Sequence, residues 1–145
     1  MFPLIFIFCL LLTNTASATD QPFTIGIRLL KPITTTLVQP LNFPDAEAGV
    51  GQNLVVKTTS DNAATFAITA NKNSFINSTI LESSVTLSST STPSTITIDG
   101  FRVTAPSATN DQGKAIIKVG GTAHVDAKDL NGDYSGSATL RVVYL

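Results

Sequence analysis

The chain has 145 residues, of which 13% are charged, and its formal net charge at pH 7 is −1. This length allows one domain with a hydrophobic core but is too short for two ordinary domains. The absence of any run of basic residues argues against nucleic-acid binding, which needs a concentrated basic face. Thr, Ser, Val, Ile and Asn are abundant and no window has helical periodicity, so the composition favours β-strands joined by polar turns.

Residues 1–18 have the pattern of a secretory signal peptide. A continuous apolar run, residues 2–12, precedes the small-x-small triplet Ala16-Ser17-Ala18, which predicts cleavage after Ala18. The run is too short to span a bilayer comfortably. The single cysteine, Cys9, lies within it, so the exported chain would have no disulfide. We therefore expect export, and stability from core packing and strand pairing alone.

Residues 19–31 form an N-terminal extension with the alternation of a β-strand. Its two faces consist of Phe23, Ile25, Ile27 and Leu29 on one side and Thr24, Gly26 and Arg28 on the other. Pro32 then interrupts pairing, and the folded domain is expected over residues 32–145. Two interpretations of the alternating segment stay open: it is the first strand of its own sheet, or it is a strand donated to a neighbouring subunit.

The middle of the chain predicts several short strands separated by turn residues. Their ranges are 33–37, 40–43, 54–58, 63–70, 75–81, 85–87, 96–104 and 114–119. The third and fourth are expected to form a hairpin around Ser60-Asp61-Asn62, and Asp99-Gly100 is expected to form a bulge. Strands at this spacing, joined by Gly, Pro and Asn turns, predict an all-β, immunoglobulin-like antiparallel β-sandwich.

Residues 119–145 predict two antiparallel strands around a tight turn. Asn131-Gly132 would supply the left-handed backbone conformations that such a turn needs. The last strand would direct its alternate apolar residues to the core: Ala138, Leu140, Val142 and Tyr144. The pair Gly120-Gly121 predicts a bulge or kink that lets one strand serve two sheets.

The acidic residues near this turn invite a metal interpretation that the full pattern does not support. Asp129-x-Asn131-x-Asp133 matches the start of a calcium loop. An EF-hand then needs Gly and, at the twelfth place, an acid, where this chain has Tyr134 and Leu140. A solvated turn is favoured over a calcium site.

No catalytic motif is present in the sequence. The single histidine, His124, lies on a predicted strand without an Asp or Glu at a motif spacing, and G-x-S-x-G, H-E-x-x-H and phosphate-binding loops are absent. The acids are scattered over turns, so no carboxylate pair can be nominated for hydrolysis. Trp is absent and the tyrosines are Tyr134 and Tyr144, which leaves little aromatic platform for a sugar. We expect neither an enzyme nor a cofactor.

Three segments carry a family resemblance. They are LLKPITTTLVQPLNF at residues 29–43, ATFAITA at residues 64–70 and, most specifically, KVGGTAHVDAKDLNGDYSGSATLRVVYL at residues 118–145. On these segments the chain resembles the DUF4402 family of secreted bacterial proteins. The family usually has Gly after the Asn-Phe pair, whereas this chain has Pro44.

That family is in turn similar to the cysteine-free fimbrial subunits of the chaperone-usher kind. Such subunits tend to have a penultimate aromatic residue and a glycine fourteen from the end, and here Tyr144 and Gly132 stand at those places. The resemblance implies a fold that lacks one strand and a groove that the N-terminal segment of the next subunit fills. The implied donor residues are Phe23, Ile25, Ile27 and Leu29, with Gly26 allowing close backbone approach, and the implied acceptor edge includes residues 138–144.

The resemblance also implies partners and a location. The partners would be other copies of the chain or related subunits, a periplasmic chaperone that fills the groove first, and an outer-membrane usher. The chain would pass through the periplasm to the cell surface. The sequence thus predicts a fimbrial subunit that polymerises by donor-strand exchange; the alternative is a monomeric secreted or cell-surface β-sandwich that acts as a binding module. A chaperone and an usher encoded beside the chain would favour the first.

Overall fold

The computed structural model describes residues 19–145 and confirms an all-β, antiparallel, sandwich-like fold. The proposed signal peptide, residues 1–18, lies outside the described residues. The strands are β1 Thr34–Gln39, β2 Gln52–Val56, β3 Ala64–Thr69, β4 Ile76–Ile80, β5 Ser84–Ser88, β6 Thr95–Thr104, β7 Lys114–Val125 and β8 Leu140–Tyr144. Over this part of the chain, no helix is long and apolar enough to cross a membrane.

The larger sheet is built around β7. β3 and β2 follow one another along one edge of β7, and β6 pairs with its other edge. β1 extends the sheet beyond β3, and β5 extends it beyond β6. β7 is central because its alternate residues are small or branched and apolar, and they are buried on one face: Ala115, Ile117, Val119, Ala123 and Val125.

A smaller sheet, made of β4 and β8, covers the inner face of the larger one. Its inward residues pair directly across the two strands: Ile76 with Tyr144, Ser78 with Val142, and Ile80 with Leu140. The core between the sheets is centred on Ile68 and Ile117, which are both 0% exposed. Removing a side chain of this kind from water stabilises the fold by about 1.5–3 kcal/mol.

The C-terminal hairpin predicted from the sequence is wrong. β7 and β8 lie in different sheets, and residues 126–139 form a long irregular connection between them. Asn131 does not have a positive φ, so Asn131-Gly132 is not the tight turn that was expected. The physical reason is that β2, β3 and β6 occupy both edges of β7, which leaves no edge for β8.

The pair Gly120-Gly121 marks a change of neighbour and not a change of sheet. β7 stays in one sheet, but at Gly120 its partner on one edge changes from β3 to β2. The hairpin predicted for residues 54–58 and 63–70 is therefore wrong, because β2 and β3 run in the same direction along β7. Residues 57–63 leave the sheet between them and then rejoin it.

β6 contains the bulge predicted at Asp99-Gly100. The register shifts between Asp99 and Arg102, so Gly100 and Phe101 stand opposite the single residue Gly121. Gly100 has a φ of +58°, a left-handed conformation that glycine adopts without steric cost. The bulge turns Phe101 toward the core, against the space that a Gly121 side chain would fill.

Other strand predictions had mixed outcomes. The strands expected at 75–81, 85–87 and 96–104 are confirmed as β4, β5 and β6. Residues 40–43 are not a strand, because Pro40 has no N–H to donate and the Asn42 amide donates instead to the carbonyl oxygen of Asn62, at 3.0 Å.

We predict that Gly120→Ala lowers the free energy of unfolding by about 1–3 kcal/mol, because the new methyl group would run into the carbonyl oxygen of Val56. Gly51→Ala is the matched control, since its methyl group would meet its nearest atoms at ordinary distances of 3.7 and 3.8 Å. Chemical denaturation of both variants makes the measurement. Equal stabilities would mean that residues 56–58, where the chain leaves β2, do not pack against Gly120.

Candidate functional site

One side of the sandwich is open between β8 and β1. Within residues 19–145, β8 pairs with β4 on one edge and with no strand on the other. β1 is the outermost strand of the larger sheet at one end. β8 lies on the same side of the sandwich, because Tyr144 at its end contacts Lys31 just before β1 and Asn71 just after β3. Backbone groups along such an edge are free to pair with another strand. We call the space between β8 and β1 the acceptor groove.

The side chains that point inward along the acceptor groove are partly exposed to solvent. Leu37 of β1 pairs with Phe66 of β3, which packs against the core, so both side chains point to the inner face. Leu37 is nevertheless 54% exposed. The inward residues of β8 are only half-buried: Leu140, Val142 and Tyr144. The apolar core is therefore incompletely covered along this side of the sandwich.

Ala138, which the sequence placed on the inward face of the last strand, is exposed and precedes β8. The chain is still attached to the larger sheet at this point, because Ser135 and Ser88 of β5 exchange backbone hydrogen bonds of 2.9 and 3.0 Å. Residues 135–139 cross from one sheet to the other, so the apolar alternation at Ala138 does not correspond to a strand. The prediction holds only for Leu140, Val142 and Tyr144.

Gly132 does not line the acceptor groove. It lies in the connection between β7 and β8, where an added Cβ would be 3.0 Å from Ser91 Oγ and 3.2 Å from Ser89 Oγ. Its small size therefore lets this connection pack against the loop after β5.

The start of β8 is set by two hydrogen bonds at Thr139. The Leu81 amide donates to the carbonyl oxygen of Thr139 at 3.0 Å, and the Thr139 amide donates to Glu82 Oε2 at 2.7 Å. The hydrogen bonds from Thr139, first from its backbone and then from its side chain, lower the pKa of the Glu82 carboxyl. Glu82 thus holds the end of β8 that lies farthest from the C-terminus.

The predicted donor residues are exposed and unpaired. Residues 19–33 have no secondary structure, so the segment is not a strand of its own domain's sheets. The exposed fractions are 80% for Phe23, 82% for Ile25, 88% for Ile27 and 84% for Leu29. No atom lies within 4 Å of a Cβ built at Gly26. The structure does not bring the donor residues and the acceptor groove together within one chain.

Tyr144 links Lys31, at the C-terminal end of this segment, to the end of β8. Its Oη donates to the carbonyl oxygen of Lys31 at 2.8 Å and accepts from the Asn71 amide at 2.8 Å. The Lys31 amide in turn donates to Asn71 Oδ1 at 3.0 Å. We call this arrangement the tyrosine latch. Sequence reasoning missed Lys31 and Asn71 because they are 113 and 73 residues from Tyr144, and no local pattern marks such partners.

His124 lies on the outer face of the larger sheet. Its Nδ1 is 2.8 Å from Asn53 Oδ1 and its Nε2 is 2.7 Å from Asp99 Oδ1. No motif spacing links His124 to Asp99, which reaches it from the neighbouring strand β6. Neither residue faces the acceptor groove.

The carboxylate of Asp129, which began the calcium-like pattern, stabilises the connection after β7. It accepts hydrogen bonds from Ser94 Oγ at 3.1 Å and from the Asp126 amide at 2.7 Å. Among the residues that the structure describes, no group of three or more His, Cys, Asp and Glu side chains could hold a metal ion.

The comparisons with known proteins identify one family. A family model described as a domain of unknown function, DUF4402, matches residues 33–144. The match includes all eight strands and leaves the exposed apolar segment outside it. No curated protein and no solved structure matches the chain.

We predict that Tyr144→Phe lowers the free energy of unfolding by about 1–2 kcal/mol, because the ring stays packed but two hydrogen bonds are lost. Hydrogen exchange at the Asn71 amide should accelerate, since that amide loses its acceptor. Tyr134→Phe is the control: it removes a 2.6 Å bond to the Leu130 carbonyl oxygen and should leave Asn71 unchanged. Unchanged exchange at Asn71 in Tyr144→Phe would contradict the latch.

Glu82 predicts a pH dependence of stability. Its pKa is lower in the folded state than in the unfolded state, so its contribution is present above the unfolded-state pKa and is lost as the pH falls through the folded-state pKa. The parent should therefore exceed Glu82→Gln in stability at neutral pH, and the difference should vanish in acid below the folded-state pKa. Denaturation at several pH values measures it, and a difference that persists at the lowest pH would rule out this carboxylate as the cause.

Proposed function

The chain belongs to the DUF4402 family, and we propose that it is a structural subunit of a bacterial surface fimbria or related assembly that polymerises by donor-strand exchange. One observation carries the proposal: the same chain has an unpaired apolar segment and an unpaired sheet edge beside an incompletely covered core. The segment could supply the strand that would pair with the open edge, and the edge could bury the apolar side chains of the segment. No catalytic role is part of the proposal.

Addition of a strand would pair the open edge of β8 and would bury the exposed apolar side chains of the segment. Residues 23–29, when extended, span about 23 Å, which is enough to run the length of β8. Their backbone would hydrogen bond to the free edge of β8, and alternate apolar side chains would cover Leu37 and the inward residues of β8. Burial of four such side chains is worth about 6–12 kcal/mol before the entropy of ordering the segment is subtracted.

The tyrosine latch supports a head-to-tail arrangement. It fixes Lys31, so the segment leaves each domain from a defined point at the end of β8. A segment of one copy that fills the groove of the next copy makes a heterologous interface, because two different surfaces meet. Such an interface generates an open filament when its rotation does not close into a ring.

The exposed groove and segment also give a physical reason for the proposed chaperone and usher. Before exchange, four apolar side chains and an unpaired edge would be accessible to any other chain, which is an aggregation hazard. A periplasmic chaperone that fills the groove would remove the hazard, and an outer-membrane usher would order the exchange. Export by residues 1–18 would bring the chain to that compartment.

Two complementary variants test the proposal on the mature chain purified from periplasm. Ile27→Asp disables the donor segment, because it would place an unpaired charge in an apolar groove. Leu37→Asp disables the acceptor groove, and since Leu37 is 54% exposed the isolated domain should tolerate it. The controls put the same charge on the opposite faces of the segment and of β1: Arg28→Asp and Thr36→Asp.

The expected result is that each disabling variant alone stays folded and monomeric, while the parent and both controls form oligomers that survive unboiled in detergent. An equal mixture of the two disabling variants should give a 1:1 heterodimer and nothing larger, because one supplies the segment and the other the groove. Native mass spectrometry makes the measurement. A parent that is a stable monomer without a chaperone, or a mixture that stays monomeric, would reject donor-strand exchange and favour a monomeric binding module.

A further inference from the structure

The outer face of the larger sheet, turned away from the core, gathers four cationic residues that are dispersed in the sequence. They are Lys57, Arg102, Lys114 and Lys118, and we call them the cationic face. Side chains alternate between the two faces of β7. Ala115, Ile117 and Val119 are buried on the inner face, so Lys114 and Lys118 point outward. Arg102 of β6 stands opposite Gly120 of β7, one outward position beyond Lys118.

The cations are close enough to act together. Lys114 and Lys118 are four residues apart on one strand, or about 13 Å, and Arg102 is about 7 Å further along the sheet. Among residues 19–145 the ion pairs are His124 with Asp99 and Lys128 with Asp126, so none of the four cations is neutralised by a salt bridge. Asp99, the acid on this face, is already held by His124 at 2.7 Å.

Lys57 and Arg102 line opposite sides of a shallow cleft of about 430 Å³ across β7. Thr58 and Thr122 add hydroxyl groups to its lining, and Gly100 places no side chain beside Thr122. An oxyanion in this cleft would meet two charged donors together with hydroxyl donors. Charge-assisted hydrogen bonds of this kind are about twice as strong as neutral ones.

Rows of threonines surround the cations on the same face. They are Thr34 and Thr36 of β1, Thr65 and Thr69 of β3, and Thr104 of β6, placed there by the register of the strands. Thr65, Lys118 and Thr104 form one continuous rung, and Thr69 Oγ1 accepts from Lys114 Nζ at 2.9 Å. Hydroxyl groups at regular spacing can exchange hydrogen bonds with the hydroxyl groups of a sugar chain.

The exposed side chain of Ile116 lies between the two lysines, paired with Ala67. It offers an apolar strip to the C–H face of a sugar ring. The outward positions of β3, β6 and β7 carry no Phe, Tyr or Trp on which a nucleic-acid base could stack. The mixture of charge, hydroxyl and short apolar groups therefore fits an acidic sugar chain better than a nucleic acid.

We propose that the cationic face binds an acidic polysaccharide, with one oxyanion group of the chain seated in the cleft between Lys57 and Arg102. Lys118 and Lys114 then contact groups further along the same polymer. The site does not rest on the proposed function, because it lies on the face opposite the acceptor groove and is complete in one copy of the chain.

The test uses the mature protein and measures its affinity for polygalacturonate, whose charges are carboxylates, for dextran sulfate, and for neutral dextran. The face variant is Lys57→Gln, Arg102→Gln and Lys118→Gln together. The matched control removes three cations elsewhere on the surface: Lys72→Gln, Lys128→Gln and Arg141→Gln. Both variants change the net charge equally, so a difference between them reports position and not overall charge.

The expected result is binding to one or both acidic polymers, no binding to dextran, and a loss of about tenfold or more in the face variant against about twofold or less in the control. Which acidic polymer binds more tightly distinguishes carboxylate from sulfate. If the triple variant does not fold, Lys57→Gln alone, at an exposed position beside the cleft, should weaken binding about threefold. In an amide NMR titration with monomeric galacturonate or with inorganic sulfate, Thr58, Gly100 and Thr122 should shift.

Several outcomes would overturn the proposal. They are no binding to either acidic polymer, equal losses in the face variant and the control, and equal binding to dextran. Tighter binding to duplex DNA or to anionic vesicles, with the same sensitivity to the face variant, would assign the surface to a different class of partner. A failure of the fimbrial proposal would leave this result unchanged, since the affinity can be measured on Ile27→Asp monomers.

Discussion

Within residues 19–145, β8 pairs with a strand on one edge only, and the open side of the sandwich follows from this. A two-stranded sheet is marginal by itself, and β4 with β8 persists because their inward residues pack on the core around Ile68 and Ile117. On the β8 side the sandwich is open toward β1. Leu37, which faces inward and is still 54% exposed, marks the open side. An open sheet edge beside a free apolar segment is the observation on which the proposed assembly function rests.

Both edges of β7 are paired, and this determines the path of the chain that follows it. β6 takes one edge, and β3 and β2 share the other because Gly120 allows the chain to leave and rejoin the sheet there. The chain after β7 therefore has to travel through a long connection before it can pair again. That detour carries the C-terminus into the smaller sheet, where Tyr144 meets Lys31 and Asn71.

The two faces of the larger sheet present different chemical groups. The inner face forms the core and, at its β1 edge, the floor of the acceptor groove. The outer face, apart from the packing of residues 56–58 on Gly120, displays charge and hydroxyl groups. A subunit joined to its neighbours along the groove would keep the outer face accessible, so assembly and polymer binding are compatible in one domain. Because they use different atoms, each can fail without the other.

The sequence by itself determined the all-β class and the inward residues of β7 and β8, because side-chain alternation is a local property of an extended backbone. It also marked the bulge at Asp99-Gly100 and the apolar segment at residues 23–29. Only the tertiary structure decided which strands are neighbours, why Ala138 lies outside β8, what the Tyr144 hydroxyl binds, and that dispersed cations share one face. These features depend on which sheet edges are already occupied, and that is set by residues far apart in the chain.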